Sequence, residues 1–204
     1  MKKSAQTISL QRVSDDVIFD AVRRSIDAHG ATKFTMTHVA QFAKLTRVQL
    51  YNRFGSRDAL ILALLVDHVI SFKRNVTHDI LAADDLVLGI REALIDGINL
   101  VKEDPYFTML IMPAVTGQTQ VDGSSKAIMK LGREQWVPIA KRAIDDDIFK
   151  PDLVPEDIAD WLTFNEITLL NAAKTYGKSL DQCRVYIDNY ILPSLLSSKA
   201  IDKS

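Results

Sequence analysis

An all-α fold is what these 204 residues predict, and three observations carry the prediction. Apolar residues recur every three or four positions along each long segment. No stretch sustains the period-two alternation of a half-buried strand. No Asn-Gly or Asp-Gly turn joins two β-rich runs, for Asp122-Gly123 has no strand-like flanks.

The elements follow in order. Ser14-Asp15-Asp16 reads as an N-cap with an acidic first turn, after which Ile18, Ala21, Val22, Ser25 and Ile26 share one helix face until Gly30. Thr35 caps a short second helix carrying Met36, Val39, Ala40 and Ala43. After a turn at Lys44-Leu45, Thr46 caps a third helix running to about Asn52. Two short helices separated by a few residues make a helix-turn-helix.

Gly55-Ser56 stops and restarts the chain, and Ser56 caps a long helix whose apolar stripe runs from Ala59 to Ile70 and whose end is expected near His78. Asp84 opens the next helix, through Leu88, Ile90, Leu94, Ile98 and Val101, and Asp104-Pro105 supplies a further cap with proline at the first helical position. A loop over 117–124, an amphipathic helix over 125–145 and a proline-containing connection over 149–155 come next. Pro155 restarts a helix that runs to Tyr176 and stops at Gly177. One last helix, about 180–196, presents Val185, Ile187, Tyr190, Ile191 and Leu195.

Composition narrows the function classes. With 47% hydrophobic and 25% charged residues, the chain is folded rather than disordered. The single cysteine, Cys183, has no partner for an intramolecular disulfide and no CxxC beside it. The start MKKSAQTISLQRVSDD lacks a signal-like apolar segment, and the longest uncharged run, Pro105 to Val121, is too short and too polar to span a membrane. A soluble, cytoplasmic protein without a membrane partner is therefore expected. The four histidines have no metal-ligand spacing, and Asp145-Asp146-Asp147 reads as a charged helix end rather than a cation site, so no metal and no cofactor are expected. No nucleophile–base pair or paired carboxylate stands out, which argues against an enzyme.

A formal net charge of −1 argues against a nucleic-acid partner until it is divided along the chain. Residues 1–60 hold ten Lys and Arg against five acids, and the remaining 144 residues hold fifteen against twenty-one. The basic part is the part with the helix-turn-helix, a coincidence that favours phosphate binding.

Val17 to Leu64, VIFDAVRRSIDAHGATKFTMTHVAQFAKLTRVQLYNRFGSRDALILAL, resembles the DNA-binding domain of the TetR family of bacterial transcriptional regulators. The resemblance rests on His29-Gly30, on Thr35 followed by Val39-Ala40, and above all on Leu50-Tyr51, Phe54-Gly55-Ser56-Arg57-Asp58 and Ala59-Leu60. It implies a domain over 1–60, with its motif at about 35–54, and a helical effector-binding and dimerisation domain over 61–204. Thr35 and Thr46 place hydroxyls and free N–H groups at positive helix ends, where a phosphate binds. The resemblance adds Tyr51, Asn52 and Arg57 as further backbone contacts. Base reading falls to Arg47 for guanine, Gln49 for adenine and Val48 for a thymine methyl. Leu50 and Phe54 read as core. Relatives usually carry Gly at the place of Lys44, where a left-handed backbone would cost Lys about 1 kcal/mol. They also carry smaller residues at Val48 and Gln49.

The resemblance further implies a homodimer formed through the last two long helices, with Trp161, Leu162, Ile167, Leu170, Tyr186, Ile187 and Tyr190 as candidates that could equally fill the monomer core. It implies an effector cavity within about 84–145, lined by Phe107, Met109, Leu110, Met112, Met129 and Trp136, with Asn99, Thr108, Thr116, Gln118 or Asn165 as polar anchors. The functional expectation is a ligand-responsive repressor that binds a palindromic double-stranded operator as a dimer and is released by a small apolar or amphipathic effector. The alternatives are a helical interaction module that has lost specific DNA binding, and a small helical enzyme.

Overall fold

The computed structural model describes residues 13–103, 106 and 124–201. In order the helices are α1 (Asp15–His29), α2 (Met36–Ala43), α3 (Arg47–Phe54), α4 (Arg57–Ala82), α5 (Leu86–Glu103), α6 (Ser124–Asp145), α7 (Pro155–Thr175) and α8 (Leu180–Tyr186). A π-helical turn at Ile187–Ile191 and two single turns, α9 (Leu192–Leu195) and α10 (Ser198–Ile201), complete the order. The fold is all-α, with no strand among the described residues. The chain divides into two compact units, residues 1–57 and 58–204.

In the first unit, α1 buries Ile18, Phe19, Ala21, Val22 and Ile26, and α2 buries Met36, Val39, Ala40 and Ala43. Leu50 is the one fully covered side chain of α3, and the Phe54 ring lies 6.4 Å from that of Phe19. Ser14 occupies the N-cap of α1, but its hydroxyl accepts no cap hydrogen bond, so the acidic Asp15 and Asp16 are the side chains of that expected cap that favour the helix start. α2 and α3 are each closed by a reciprocal capping box: Thr35 with His38, and Thr46 with Gln49. Between them the Leu45 N–H donates to Ala40 O at 2.9 Å and the Lys44 N–H to Gln41 O at 3.3 Å. That double bond set is a Schellman turn, and it requires a left-handed residue at its centre. Lys44 supplies it, with φ 54° and ψ 39°.

The second unit is built around Ile80 of α4, Ile90, Leu94 and Ile98 of α5, Trp136 and Ile139 of α6, and Ile158 and Leu162 of α7, closed by Ile187, Ile191 and Leu195. α6 and α7 approach so closely that a Cβ built on Gly132 would stand 2.0 Å from Thr163 Oγ1 and 3.0 Å from Thr163 Cβ. Outside that contact the Arg133 guanidinium forks onto both oxygens of Asp160, at 2.7 and 2.6 Å. The hydrogen bond from Arg133 holds the Asp160 carboxyl below its ordinary value.

Three boundaries differ from the sequence reading. α4 continues through Ala82, one turn past His78. Its last carbonyls are gathered by Arg142 of α6, which donates to Leu81 O at 2.7 Å and Ala83 O at 3.2 Å. This is a C-cap from a distant helix, which helix periodicity does not report. α5 is capped by Asp85, whose carboxylate accepts from the Leu88 N–H at 2.9 Å, rather than opened by Asp84. The expected single last helix is broken at 187–191, where the Leu192 N–H donates five residues back, to Ile187 O. Pro193 is the physical reason: it has no N–H for the carbonyl four residues earlier and its ring crowds that carbonyl, so the turn before it widens.

Candidate functional site

The exposed surface of α3 gathers most of the residues read as DNA contacts. Thr46, Arg47, Val48, Gln49 and Asn52 are exposed, Val48 at 66%, and Tyr51 is 41% exposed. The Arg47 guanidinium lies 5.7 Å from the centroid of the Tyr51 ring, one turn on, within cation–π range. Leu50, between them in sequence, points the other way and is wholly buried. At the start of α2, Thr35 is exposed, its Oγ1 accepting from the His38 N–H at 3.3 Å and its own N–H donating to His38 Nδ1 at 3.3 Å. The His38 ring stacks on His29, centroids 3.8 Å apart, which ties the end of α1 to the start of α2.

Three of the residues expected to contact DNA have partners within the chain. Gln49 turns its amide oxygen back to the helix start: Gln49 Oε1 accepts from the Thr46 N–H at 2.8 Å and from Thr46 Oγ1 at 3.0 Å. Thr46 Oγ1 in turn accepts from the Gln49 N–H at 3.2 Å, so hydroxyl and amide oxygen are committed to each other. Any phosphate at this helix end is therefore met by the first-turn N–H groups that a helix leaves unsatisfied, more than by the hydroxyl. Arg57 is not turned outward. It donates from Nε to Phe34 O at 3.1 Å and from Nη2 to Ala31 O at 2.6 Å, with its guanidinium 4.1 Å from the centroid of the Phe34 ring. Its charge anchors the α1–α2 connection. Arg53, to which sequence reasoning assigned nothing, binds the Asp15 carboxylate and donates to Val13 O. An arginine inside a basic segment has no sequence signal for which carbonyl it meets.

In the second unit, Phe107, Thr108, Met109 and Met112, with Leu110, Thr116 and Gln118, lie outside the described residues. Trp136 is a correction: it is wholly buried in the core. Asn165 is half-buried, and its amide donates to Trp161 O at 2.8 Å on its own helix. Asn99 and Met129 are half-buried. None of these lines the cavity of about 560 Å³ that opens between α4 and α6, walled by Ile70, Arg74 and Leu81 on one side and Leu131 and Gln135 on the other. A sequence signal for it exists. Ile70, Lys73, Arg74, Thr77, His78 and Leu81 recur at helical spacing, a stripe too polar to register as core.

Among the residues read as an interface, Trp161 and Tyr190 are 43% and 69% exposed, and Ile167 and Tyr186 are half-buried. Ile187 is wholly buried in the monomer core, as is Leu162, so neither offers a face to a partner. Phe164, three residues beyond Trp161 on α7, is a further exposed aromatic side chain, at 52%. Arg91 with Asp188 (2.6 Å) and Arg184 with Glu92 (3.0 Å) fix the α8 region onto α5. Among the described residues no cluster of three metal-ligating side chains occurs, and no helix is long and apolar enough to cross a membrane.

Comparison with known proteins places the α1–α3 geometry. Residues 18–64 match the sequence profile described as "Bacterial regulatory proteins, tetR family". No curated protein matches the chain. Solved structures do: SmeT, the repressor of the multidrug efflux pump SmeDEF of Stenotrophomonas maltophilia, is 16% identical, with 93% of each chain covered and a TM-score of 0.69. A TetR-family transcriptional regulator from Pectobacterium atrosepticum is also 16% identical, over 90% of this chain and 94% of its own, at 0.69. FadR of Bacillus subtilis, in complex with stearoyl-CoA, is 14% identical, over 90% and 98%, at 0.66. The likeness to these structures is one of fold.

Proposed function

We propose, on the premise that residues 18–64 are a tetR-family DNA-binding domain, that the chain is a ligand-responsive transcriptional repressor. It binds a palindromic double-stranded operator as a homodimer and is released by a small amphipathic effector. The observation that carries the reading is the exposed face of α3: Arg47 and Val48 present side chains to base edges, and Tyr51 and Asn52 flank them. A second copy is needed because half-sites about 34 Å apart require two recognition helices related by a two-fold axis. The exposed aromatic side chains of Trp161, Phe164 and Tyr190 support a partner face on α7 and the π-helical turn. The cavity between α4 and α6 supports an effector. The names of the neighbours point the same way: one is a repressor of an efflux pump, and another holds stearoyl-CoA.

In this reading the effector prefers a conformation in which the two recognition helices are wrongly spaced, and so lowers operator affinity by a coupling of about 1–3 kcal/mol. α4 is the element through which the chain passes from Arg57, hydrogen-bonded to the α1–α2 connection, to the cavity wall at Ile70 to Leu81. The test is fluorescence anisotropy with duplex from upstream of the chain's own gene. Binding tighter than to scrambled duplex, falling steeply with salt, is expected; equal affinity for both duplexes, or no salt dependence, overturns it.

A further inference from the structure

We propose that the α4–α6 cavity takes an amphipathic hydroxy acid; the inference rests on the reading of this cavity as an effector site and names the chemistry it selects. Three features of the walls set three demands. Ile70, Leu81 and Leu131 give an aliphatic lining suited to an alkyl body. Gln135, also in the wall, is 3% exposed, and its Oε1 is buried without a hydrogen-bond partner. Such an oxygen is costly to leave unmet, and turning the Gln135 amide toward the cavity brings it to a ligand's hydroxyl donor.

The third demand is for negative charge. Lys73 is in the lining, but its ammonium is spent on Glu166, 3.1 Å away, with both side chains largely covered. Glu134 faces Lys130 at 3.6 Å, and His78 stands 3.4 Å from Asp79. Arg74 is the lining cation that no carboxylate pairs with among the described residues, and it is exposed at the cavity. A carboxylate on the ligand completes it with a charge-assisted, two-pronged contact. The geometry thus orders the ligand: acid at Arg74, hydroxyl at Gln135, chain against the three aliphatic side chains. A cationic amphiphile meets no uncompensated carboxylate here.

The test is titration calorimetry of the full chain with 3-hydroxydecanoate, decanoate and 1,3-decanediol, each below the concentration at which it aggregates. The hydroxy acid is expected to bind tightest, with about tenfold lost on removing the carboxylate and a few-fold on removing the hydroxyl. Arg74→Gln should erase the preference for acid over diol, and Gln135→Leu should erase the preference for hydroxy acid over decanoate while leaving decanoate affinity in place. Both variants are checked for native helicity and melting. Diol binding as tightly as acid, preferences that survive these substitutions, or absence of binding by any of the three overturns the inference. Operator anisotropy on the same samples separates the two claims. DNA binding without amphiphile binding sinks the ligand assignment alone, and amphiphile binding without specific DNA binding sinks the regulator reading while the cavity assignment stands.

Discussion

In the first unit the ends of the short helices are set by bonds that span three to five residues, Thr35 to His38, Thr46 to Gln49 and the Schellman bonds around Lys44, with Arg53 and Arg57 adding the long-range ones. The second unit is joined by contacts between residues far apart in the chain, such as Arg133 with Asp160, 27 residues on, and Arg91 with Asp188, 97 residues on. Short-range bonds are written as motifs, so they can be read from a sequence. Long-range ones depend on complementarity between surfaces whose pairing only the folded chain reveals. The difference predicts where substitutions act: backbone-proximal changes in the second unit should be severe, and changes in the caps and turn of the first should be graded.

The largest effect is expected at Gly132. Any Cβ there meets the whole Thr163 side chain, so α6 and α7 must separate, and Gly132→Ala should cost about 1–3 kcal/mol in thermal or denaturant unfolding. Adding Thr163→Ala should restore part of the loss, because it removes the two nearest atoms, Oγ1 and Cγ2. A Gly132→Ala protein as stable as the parent would mean that the two helices are not in tight register. The contrast between the units would then fail.

Next is Arg57→Ala. Two carbonyls, of Ala31 and Phe34, lose a charged donor, and about 1–3 kcal/mol of stability should go with it, with the salt slope of DNA binding unchanged. The sequence reading expects the opposite, a phosphate contact whose loss lowers the salt slope by about 1 and leaves stability alone. Measuring both quantities on one variant decides between them.

Gln49 divides the same two roles more finely. Gln49→Glu keeps a side-chain oxygen for the Thr46 N–H, so stability should hold, while a carboxylate in the interface should weaken DNA binding. Gln49→Ala should lose the box, at about 0.5–1 kcal/mol by melting. If Gln49→Ala is neutral in stability but relaxes discrimination at an adenine, the side chain leaves Thr46 on DNA and the base-reading role stands.

These residues show what could be read in advance. The all-α fold, the capping threonines and the turn at Lys44 follow from spacing and residue type, because backbone N–H groups at a helix start and a left-handed residue at its end are local demands. Arg57 sits in the most recognisable run of the chain, yet its partners are carbonyls of Ala31 and Phe34, more than twenty residues back, a contact that residue type and position do not report. The cavity wall was hidden for a different reason. Its stripe mixes Ile70 and Leu81 with Lys73, Arg74 and Thr77, and a hydrophobicity pattern stops where the polar side chains begin. Trp136 shows the converse, an aromatic residue near cavity-forming helices that the core takes entirely.

The smallest effect, and the one that bears most directly on short-range coding, is at Lys44. Its left-handed conformation costs an L-residue with a Cβ about 1–2 kcal/mol. Glycine relieves that strain but gives back about 0.5–1 kcal/mol through the greater freedom of its unfolded chain. Lys44→Gly should therefore raise stability by roughly 0.5–1 kcal/mol, seen as a small upward shift in the melting of the first unit. It also removes a cation beside α3, so in the proposed reading nonspecific DNA affinity should fall slightly at low salt and converge with the parent at high salt. Lys44→Ala separates the two contributions, since it keeps the strain and removes the charge. A loss of stability in Lys44→Gly equal to that in Lys44→Ala would show that the Schellman turn is held by the long Lys side chain rather than despite its Cβ. The first unit would then depend on side-chain contacts at its hinge much as the second does at α6 and α7.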